Sequence, residues 1–429
     1  MLRMTWLVVG LGLVLVGQTR ADVVEFTEGG RVELPAVDMG AAVRLDGPTG
    51  PVVFRKAEIR SILPRPLPAR EWPAQRASAL VSGADARFQT AWWALMNGLT
   101  SEAVAMLREA HQADPQHQPT TRMVAMLDRL DRPGLDPDLN TFRARLPGDW
   151  RLAKGSHVVL AHQHNSAEAT ERVELLEQVF TSYYLFVTAL GFDLTTPSER
   201  LVSVWFAKRD DYLAYLRNEE ADAFLTTRGF YHPTKDLVLT YDSRTDLSRA
   251  RVRDRLERPG GTDLRRKILF ELEWRALDWG TASHEMVHQL VAHSGFAPRA
   301  DAFPLWFHEG FAAQFEVIVG GRWAGIGQPH PLRMADWPKG EPPALASLIR
   351  DQGFGQGYRA GSYVQAWALV DYLRREHPGQ FVTFLDLLRG PGSGLDRTFA
   401  AFRTSFGDDL IPIEQGWLKH AASLRALPR

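Results

Sequence analysis

The hydrophobic pattern of this chain changes period along its length, and that change sets the fold class. Three short apolar runs have the composition of buried strands, at residues 156–162 (SHVVLAH), 201–207 (LVSVWFA) and 236–242 (DLVLTYD). After the first run, helical spacing predicts an amphipathic helix that is capped by Ser166 or Thr170 and ends at Gly191. From Phe270 onward the helical period dominates. Strands followed by helices predict an α+β domain over residues 150–429.

The first third of the chain has a different pattern. Residues 22–64 contain short apolar runs separated by Gly and Asp turn residues, which predicts a small β domain. The proline-rich stretch LPRPLPAREWP then has the composition of a linker. Residues 77–131 have apolar residues at helical spacing, and their small residues are placed as in a tetratricopeptide helix pair. Because a stable array needs about three repeats and fewer than two fit, we predict a tetratricopeptide-like helical hairpin that packs on its neighbours. A peptide-binding array is the alternative.

The N-terminus has the pattern of an export signal. Arg3 precedes an apolar run over residues 5–16, and a polar segment then ends in a small residue. We predict a signal peptide over residues 1–21, cleaved after Ala21, and therefore a periplasmic or extracellular protein. The alternative is an uncleaved anchor, although the run is shorter than the span of about twenty residues that a bilayer requires. No later segment is long enough, so no integral membrane association is expected after cleavage.

Composition excludes several functions. The formal net charge is −1, and it becomes −3 when Arg3 and Arg20 leave with the signal, so no nucleic-acid partner is expected. The 429 residues include no cysteine. Disulfides are therefore excluded, and a structural zinc site, which typically uses several cysteines, is disfavoured. The length and the 45% apolar content allow a core large enough to stabilise an exported protein without disulfides.

Residues 281–290, TASHEMVHQL, carry the clearest chemical signal. His284 and His288 are four residues apart, so on a helix they lie on one face and can bind one metal ion. Glu285 is rotated by about 100° from His284, so it is poorly placed as a ligand and well placed as a general base. The alternative is a helix that happens to carry two surface histidines. A third ligand elsewhere in the chain would decide between them.

Two neighbouring residues can supply that third ligand. Glycine and histidine at positions 291 and 294 would indicate an astacin-like site, but those positions are Val291 and Ser294. The segment PLWFHEGFAAQFE, residues 304–316, predicts a return helix with His308 and Glu309. Because these two side chains point about 100° apart on a helix, only one of them can bind the ion.

The two segments together resemble the glutamate zincins, or gluzincins, a class of metallopeptidases related to thermolysin and the zinc aminopeptidases. HEMVH matches the first motif of that class, and Trp306, Glu309, Gly310 and Ala312 match its second motif, Trp-x-x-Glu-Gly-x-Ala. The resemblance implies a zincin-like domain with a small mixed sheet and a mostly helical C-terminal part. It also implies Zn²⁺ as cofactor and Glu309 as third ligand. The whole layout resembles uncharacterised exported bacterial gluzincins with a tetratricopeptide-like hairpin.

The resemblance also implies a tyrosine that stabilises the oxyanion of the reaction. In that class the tyrosine lies on a helix 40 to 70 residues after the glutamate ligand, where this chain has Tyr358 and Tyr363. The helical register favours Tyr363, and Tyr358 instead fits a Tyr-x-x-Gly pattern. The alternative is that both tyrosines only pack in the core.

These observations predict zinc-dependent hydrolysis of peptide bonds in a protein, a peptide or a cell-wall peptide. The chain lacks the Gly-x-Met-Glu-Asn segment of the aminopeptidases, so exopeptidase activity is in doubt. The strand at 236–242 is interpreted either as an edge that pairs with substrate backbone or as a core strand. Residues 251–267 are interpreted as a mobile polar loop. The alternative function is a catalytically weak module that docks a partner through the helical hairpin.

Overall fold

A computed structural model describes residues 20–65, 67–139, 149–257, 263–338, 344–352, 354, 360–392 and 394–425. Nearly all of the predicted signal peptide therefore lies outside the described residues, and strand β1 begins at Arg20. The described part contains several sheets and many helices, which confirms the α+β class. Within this part of the chain, no helix has the length and apolar character needed to cross a bilayer.

The predicted β domain forms an antiparallel sheet with strand order β4-β3-β2-β1-β5. Its strands are Arg20–Phe26, Arg31–Asp38, Ala42–Gly47, Gly50–Arg55 and Ile59–Arg65. One face is apolar and packs on Ile268, Leu269 and Leu272, which lie on a long helix much later in the chain. Gly30 permits this approach, because a Cβ atom there would meet Leu269 at 2.7 Å.

The predicted hairpin is part of a larger group of four helices. These are α1 (Pro68–Leu80), α2 (Ala84–Met96), α3 (Thr100–Ala113) and α4 (Gln118–Leu130). The predicted linker is wrong, since β5 continues to Arg65 and α1 begins two residues after Pro66. Pro68 occupies the first position of α1, where a missing N–H breaks no helical hydrogen bond. A proline-rich segment can thus start a helix as well as separate two domains.

The second sheet lies at the centre of the molecule and has strand order β6-β7-β8-β10-β9. Its strands are Arg151–Lys154, Val158–His162, Leu201–Phe206, Gly229–His232 and Leu237–Tyr241 in chain order. The strands β7, β8 and β10 are parallel, and the two edge strands are antiparallel to their neighbours. All three predicted strands are confirmed. However, β10 lies between β8 and β9, so it is a core strand and its interpretation as an edge strand is wrong. The strand at that edge of the sheet is β9.

Helix α5 (Ser166–Ala189) connects β7 and β8, as the helical spacing predicted. Its N-terminal cap is Asn165, and not Ser166 or Thr170 as predicted. The Asn165 side chain accepts a hydrogen bond from the backbone N–H of Glu168. Asn165 is the last extended residue before the helix, which is the position from which a side chain can reach the free N–H groups. Helix α6 (Arg209–Asn218) covers the opposite face of the sheet.

The C-terminal half is helical, as predicted, apart from a two-stranded ribbon of β11 (Ile318–Val319) and β12 (Arg322–Trp323). Its helices are α7 (Leu247–Glu257), α8 (Leu264–His293), α9 (Leu305–Ala312), α10 (Pro331–Ala335), α11 (Leu345–Ile349), α12 (Ala360–Glu376), α13 (Pro378–Arg389), α14 (Leu395–Phe406) and α15 (Ile411–Arg425). The loop predicted at 251–267 is largely helical instead, in α7 and the start of α8, while residues 258–262 lie outside the described residues.

Candidate metal centre

The long helix α8 carries both histidines of the HEMVH segment. It packs against α5 on one side and against β9 and β10 on another. Thirty residues of uninterrupted helix bring His284 and His288 onto one face, as the four-residue spacing predicted. His284 is buried and the side chain of His288 is 17% exposed, so the pair lies at the boundary between the core and solvent.

The short helix α9 carries Glu309, and a distant aspartate fixes where this helix begins. Asp351 accepts hydrogen bonds from the backbone N–H groups of Leu305 at 2.9 Å and Trp306 at 2.7 Å. This is the capping role normally filled by the residue just before a helix, where Pro304 lies instead. Asp351 has a φ of 55°, a strained conformation for a residue with a side chain.

Close packing then holds α9 in place. Gly310 faces α12, because a Cβ atom at Gly310 would meet the carbonyl oxygen of Ala366 at 2.6 Å. The small residue therefore permits close packing of α9 on α12.

Three ligand atoms from α8 and α9 converge on one point. The Nε2 atoms of His284 and His288 are 3.2 Å apart. The Oε2 atom of Glu309 lies 3.1 Å from Nε2 of His284 and 3.7 Å from Nε2 of His288. Among the residues that the structure describes, these three form a group that could hold a metal ion, and His308 is not a member. We call His284, His288 and Glu309 the metal site.

These separations fit a tetrahedral ion. Ligands bound at about 2.0–2.1 Å on tetrahedral corners are about 3.3–3.4 Å apart, which is close to the three separations in the metal site. Two imidazoles and one carboxylate leave a fourth corner free, which is the pattern of catalytic rather than structural zinc sites. The donor set and its geometry therefore suit zinc.

A second layer of residues orients His284. Its Nδ1 lies 3.2 Å from Oε2 of Glu316, so Nδ1–H can donate to this carboxylate and leave Nε2 free for the ion. Arg333 donates to both oxygens of Glu316, with its Nη2 2.6 Å from Oε2. Gly280 lets Glu316 come this close, since a Cβ atom there would meet the Glu316 carbonyl oxygen at 2.7 Å.

The charges around the site favour a divalent cation. Glu285, Glu309 and Glu316 supply three carboxylates, and Arg333 is the guanidinium that pairs with Glu316, so two negative charges are in excess. Burial lowers the pKa of His284, but hydrogen bonds with Glu309 and Glu316 outweigh it and raise the pKa to about 10. A cation is thus stabilised at Nε2 of His284, whether it is a proton or a metal ion.

Glu285 lies next to His284 on α8, and its carboxylate contacts the edge strand of the central sheet. Its Oε2 accepts a hydrogen bond of 2.8 Å from the backbone N–H of Tyr231 in strand β9. Its side chain remains partly exposed. A carboxylate that lies beside the ligands without joining them, and that water can reach, is placed as a general base would be.

The alternative ligand His308 has a different environment. Its ring centroid lies 6.2 Å from that of His288 and 5.8 Å from that of Phe303, and the residue is half-buried. Burial, together with the nearby His288, lowers the pKa of His308 to about 4. His308 is therefore a neutral packing residue at the margin of the metal site.

Tyr363 lies in α12 with its ring against the guanidinium of Arg333, whose Cζ atom is 5.1 Å from the ring centroid. The contacts described above thus connect Tyr363 to His284 through Arg333 and Glu316. Its role as oxyanion donor stays a prediction. Tyr358, the alternative donor, lies outside the described residues.

The roles of Glu316, Arg333, Asp351 and the backbone N–H of Tyr231 were not predicted from the sequence. Glu316 stands at the end of the quoted segment 304–316, two helical turns after Glu309, and that spacing was a usable signal. The others act from separate segments, through a guanidinium, a distant cap and a main-chain N–H. None of these has a sequence motif.

A family described as a protein of unknown function (DUF1570) matches residues 278–390, which include the metal site, Glu316 and Arg333. No curated protein matches the chain.

Proposed function

We propose that the protein is a zinc-dependent peptidase of the gluzincin type that acts outside the cytoplasm. The observation that carries the proposal is the convergence of three ligand atoms at 3.1–3.7 Å beside a carboxylate that is not itself a ligand. A structural metal site has no use for that additional carboxylate. A hydrolytic site requires it, because a general base must take a proton from the attacking water.

Each residue has one task in the proposed reaction. His284, His288 and Glu309 hold the ion, which when bound supplies Lewis acidity and lowers the pKa of a water. Glu285 takes a proton from the attacking water and returns it to the leaving nitrogen. The hydrogen bond from the backbone N–H of Tyr231 holds the Glu285 carboxylate in a fixed orientation. Glu316 and Arg333 hold the ring of His284 in the orientation that presents Nε2.

The substrate class follows from the edge of the central sheet. Strand β9 is the edge strand beside Glu285, and an extended peptide can add to such an edge through backbone hydrogen bonds. That mode suits internal segments of unfolded proteins or peptides, because it does not require a free terminus. An export signal would bring the enzyme to such substrates, or to cell-wall peptides, in the periplasm or outside the cell.

The alternative, a weakly catalytic docking module, has less support. It requires a free apolar face on helices α2 and α3. The buried side chains of these helices instead belong to the main core, which they share with α5. Trp92 stacks on Phe186 of α5 at 5.7 Å, and Thr100 bonds Ser182 at 2.9 Å.

The decisive test is Glu285→Gln in the zinc-loaded protein. Glutamine keeps an oxygen that can accept from Tyr231 but removes the base, so zinc content should stay near one per chain. Turnover of a quenched fluorescent peptide library should fall by about 10²- to 10⁴-fold. The matched control is Glu273→Gln, an exposed glutamate of α8 paired with Arg249, which should keep full activity. Unchanged turnover in Glu285→Gln would refute the mechanism.

A further inference from the structure

One side chain, that of Asp236, ties the edge strand of the central sheet to the metal-binding helix. Asp236 ends the turn between β9 and β10. Its carboxylate accepts hydrogen bonds from the Tyr231 hydroxyl at 3.1 Å and from Nε2 of Gln289 at 3.1 Å. Nε2 of His293 lies 2.8 Å away, and the backbone carbonyl of Asp236 accepts a second bond from Gln289.

The backbone of Asp236 is strained to make these contacts. Its φ is 53°, and Glu220, Asp236 and Asp351 are the three described non-glycine residues with positive φ. Such conformations persist only where surrounding contacts hold them, and they concentrate at functional sites. Asp351 already fits that pattern, since it caps the helix that carries Glu309.

Both ends of this connection lead to the proposed catalytic base. Gln289 follows His288 directly on α8, so one end of the contact is fixed to the metal helix. The other end is Tyr231, whose hydroxyl binds Asp236 while its backbone N–H binds Glu285 at 2.8 Å. The position of that N–H, and hence the orientation of the Glu285 carboxylate, therefore depends on where Asp236 holds the strand.

We infer that Asp236 is a positioning residue for catalysis, which sets the orientation of Glu285 by clamping β9 to α8 through Tyr231, Gln289 and His293. This role rests on the proposed function. It goes beyond it, because it assigns a task to residues that touch neither the ion nor the attacking water. Burial opposes ionisation of Asp236, but the bonds from His293, Gln289 and Tyr231 lower its pKa, so the clamp is a carboxylate at neutral pH.

We expect that the clamp can be removed without unfolding the protein. Glycine adopts positive φ freely, so Asp236→Gly relieves strain while it deletes the carboxylate. The Asp236–His293 pair is partly exposed and adds little to stability. Tyr231→Phe is a second, milder variant that deletes one bond of the clamp. The matched control is Glu220→Gly, which relieves the same kind of strain at an exposed residue that follows α6.

The experiment measures kcat and KM of zinc-loaded variants on a quenched peptide that the parent cleaves, with mass-spectrometric hydrogen exchange of peptides covering residues 229–232. Asp236→Gly should lower kcat by about tenfold, because small misplacements of a catalytic group are costly. KM, zinc content and Tm should stay near those of the parent, and exchange in β9 should increase. Tyr231→Phe should show the same changes to a smaller degree, and Glu220→Gly none.

The outcomes separate the two proposals. A parent that holds zinc but cleaves no peptide overturns the proposed function. Exchange in β9 that Asp236→Gly leaves unchanged overturns the clamp, whether or not the protein is active. An unchanged kcat, or an equal loss of kcat in Glu220→Gly, overturns the positioning role even if exchange increases.

Discussion

Two buried groups of histidines and carboxylates flank the core of this protein, and only one of them is arranged to bind a metal ion. The first is the metal site on α8 and α9. The second, which we call the arginine cluster, lies where the parallel strands β7 and β10 end. It comprises His164, Glu168, Arg172, Asp242 and Arg244.

The two groups differ in how their carboxylates are neutralised. In the arginine cluster Arg244 pairs with both Glu168 and Asp242, and Arg172 adds a bond to Glu168 at 3.4 Å. Two guanidiniums thus balance two carboxylates, and both stack on tryptophans, with Arg244 4.3 Å from the Trp274 ring. Around the metal site, Arg333 pairs with Glu316, and among the described residues no second guanidinium pairs with Glu285 or Glu309. Buried histidines and carboxylates are therefore not sufficient for a metal site. Their ligand atoms must also converge on one point, and the carboxylates must not already be neutralised by arginine side chains.

The largest expected effect comes from removing a ligand. Glu309→Gln keeps the volume of the side chain but loses the charge that faces His284 and His288. Zinc affinity should fall by more than the about 10- to 100-fold typical of outer-sphere changes, with loss of peptidase activity. Competition with a chromogenic chelator measures the affinity. Near-parental zinc binding would show that the metal site is not where the three atoms converge.

The corresponding change in the arginine cluster should affect stability rather than metal binding. Glu168→Gln removes the carboxylate that pairs with the buried Arg172, while Arg244 keeps Asp242. Because Glu168 itself is half-buried, the loss of stability should be about 1–3 kcal/mol, less than for a fully buried pair. Urea unfolding at pH 7 should show this loss, with zinc content unchanged. The control is Glu174→Gln, an exposed change on the same helix, which should stay within about 0.5 kcal/mol of the parent.

The same variant has a defined pH dependence. The hydrogen bond from His164, followed by the charges of Arg172 and Arg244, holds the pKa of Glu168 below its ordinary value of 4.5. The pKa of Glu168 is lower in the folded state than in the unfolded state, where it is about 4.5. The stabilisation is therefore fully present above about pH 4.5, and it is lost as the pH falls toward the folded-state pKa. The stability difference between parent and Glu168→Gln should therefore shrink below about pH 4.5. A constant difference from pH 7 to pH 3 would show that the charge of Glu168 is not the cause.

A smaller effect is expected when the second layer of the metal site is changed. Glu316→Gln weakens the acceptor for Nδ1 of His284 and leaves Arg333 without its carboxylate partner. Zinc affinity should fall by about 10- to 100-fold, which is less than for Glu309→Gln. If chelator competition gives the two variants the same affinity, Glu316 is itself a ligand and the description of the site must be revised.

The smallest effect is expected at Gly280, which lies on α8 between the metal site and Asp278, a neighbour of the arginine cluster. An alanine there would press on the carbonyl oxygen of Glu316, which should cost about 1–2 kcal/mol and weaken zinc binding slightly. The control is Gly379→Ala in α13, where a Cβ atom has no neighbour within 4 Å. That variant should be neutral or slightly stabilising. Equal losses in both variants would indicate a general helix effect.

Some predictions from the sequence were confirmed because they depend only on local geometry. The pairing of His284 and His288 on one face follows from the rise and turn of a helix. The strands β7, β8 and β10 were recognisable because parallel strands covered on both faces are continuously apolar. The edge strand β9 was missed, because four residues are too few for a periodic signal. The linker was wrong, because proline both separates domains and begins helices.

Within the site, the sequence specified the residue types but not their partners. Helix geometry left Glu309 and His308 open as the third ligand, the family resemblance implied Glu309, and Tyr363 was named without a contact. The position of Glu309 beside the two histidines depends on where α9 is anchored, by the Asp351 cap and by the close contact of Gly310 with α12. These anchors are separated from Glu309 by dozens of residues, so no local pattern could reveal them.

The sequence alone therefore determined the α+β class and the α8 helix with its two histidines and a glutamate between them. Those features arise from interactions a few residues apart, which are encoded in spacing and composition. The tertiary structure decided how Glu309 is brought to the two histidines, that Glu316 and Arg333 orient His284, and that β9 contacts Glu285. These relations join segments far apart in the chain. Packing fixes them, through glycines that permit close approach and aspartates that hold strained turns.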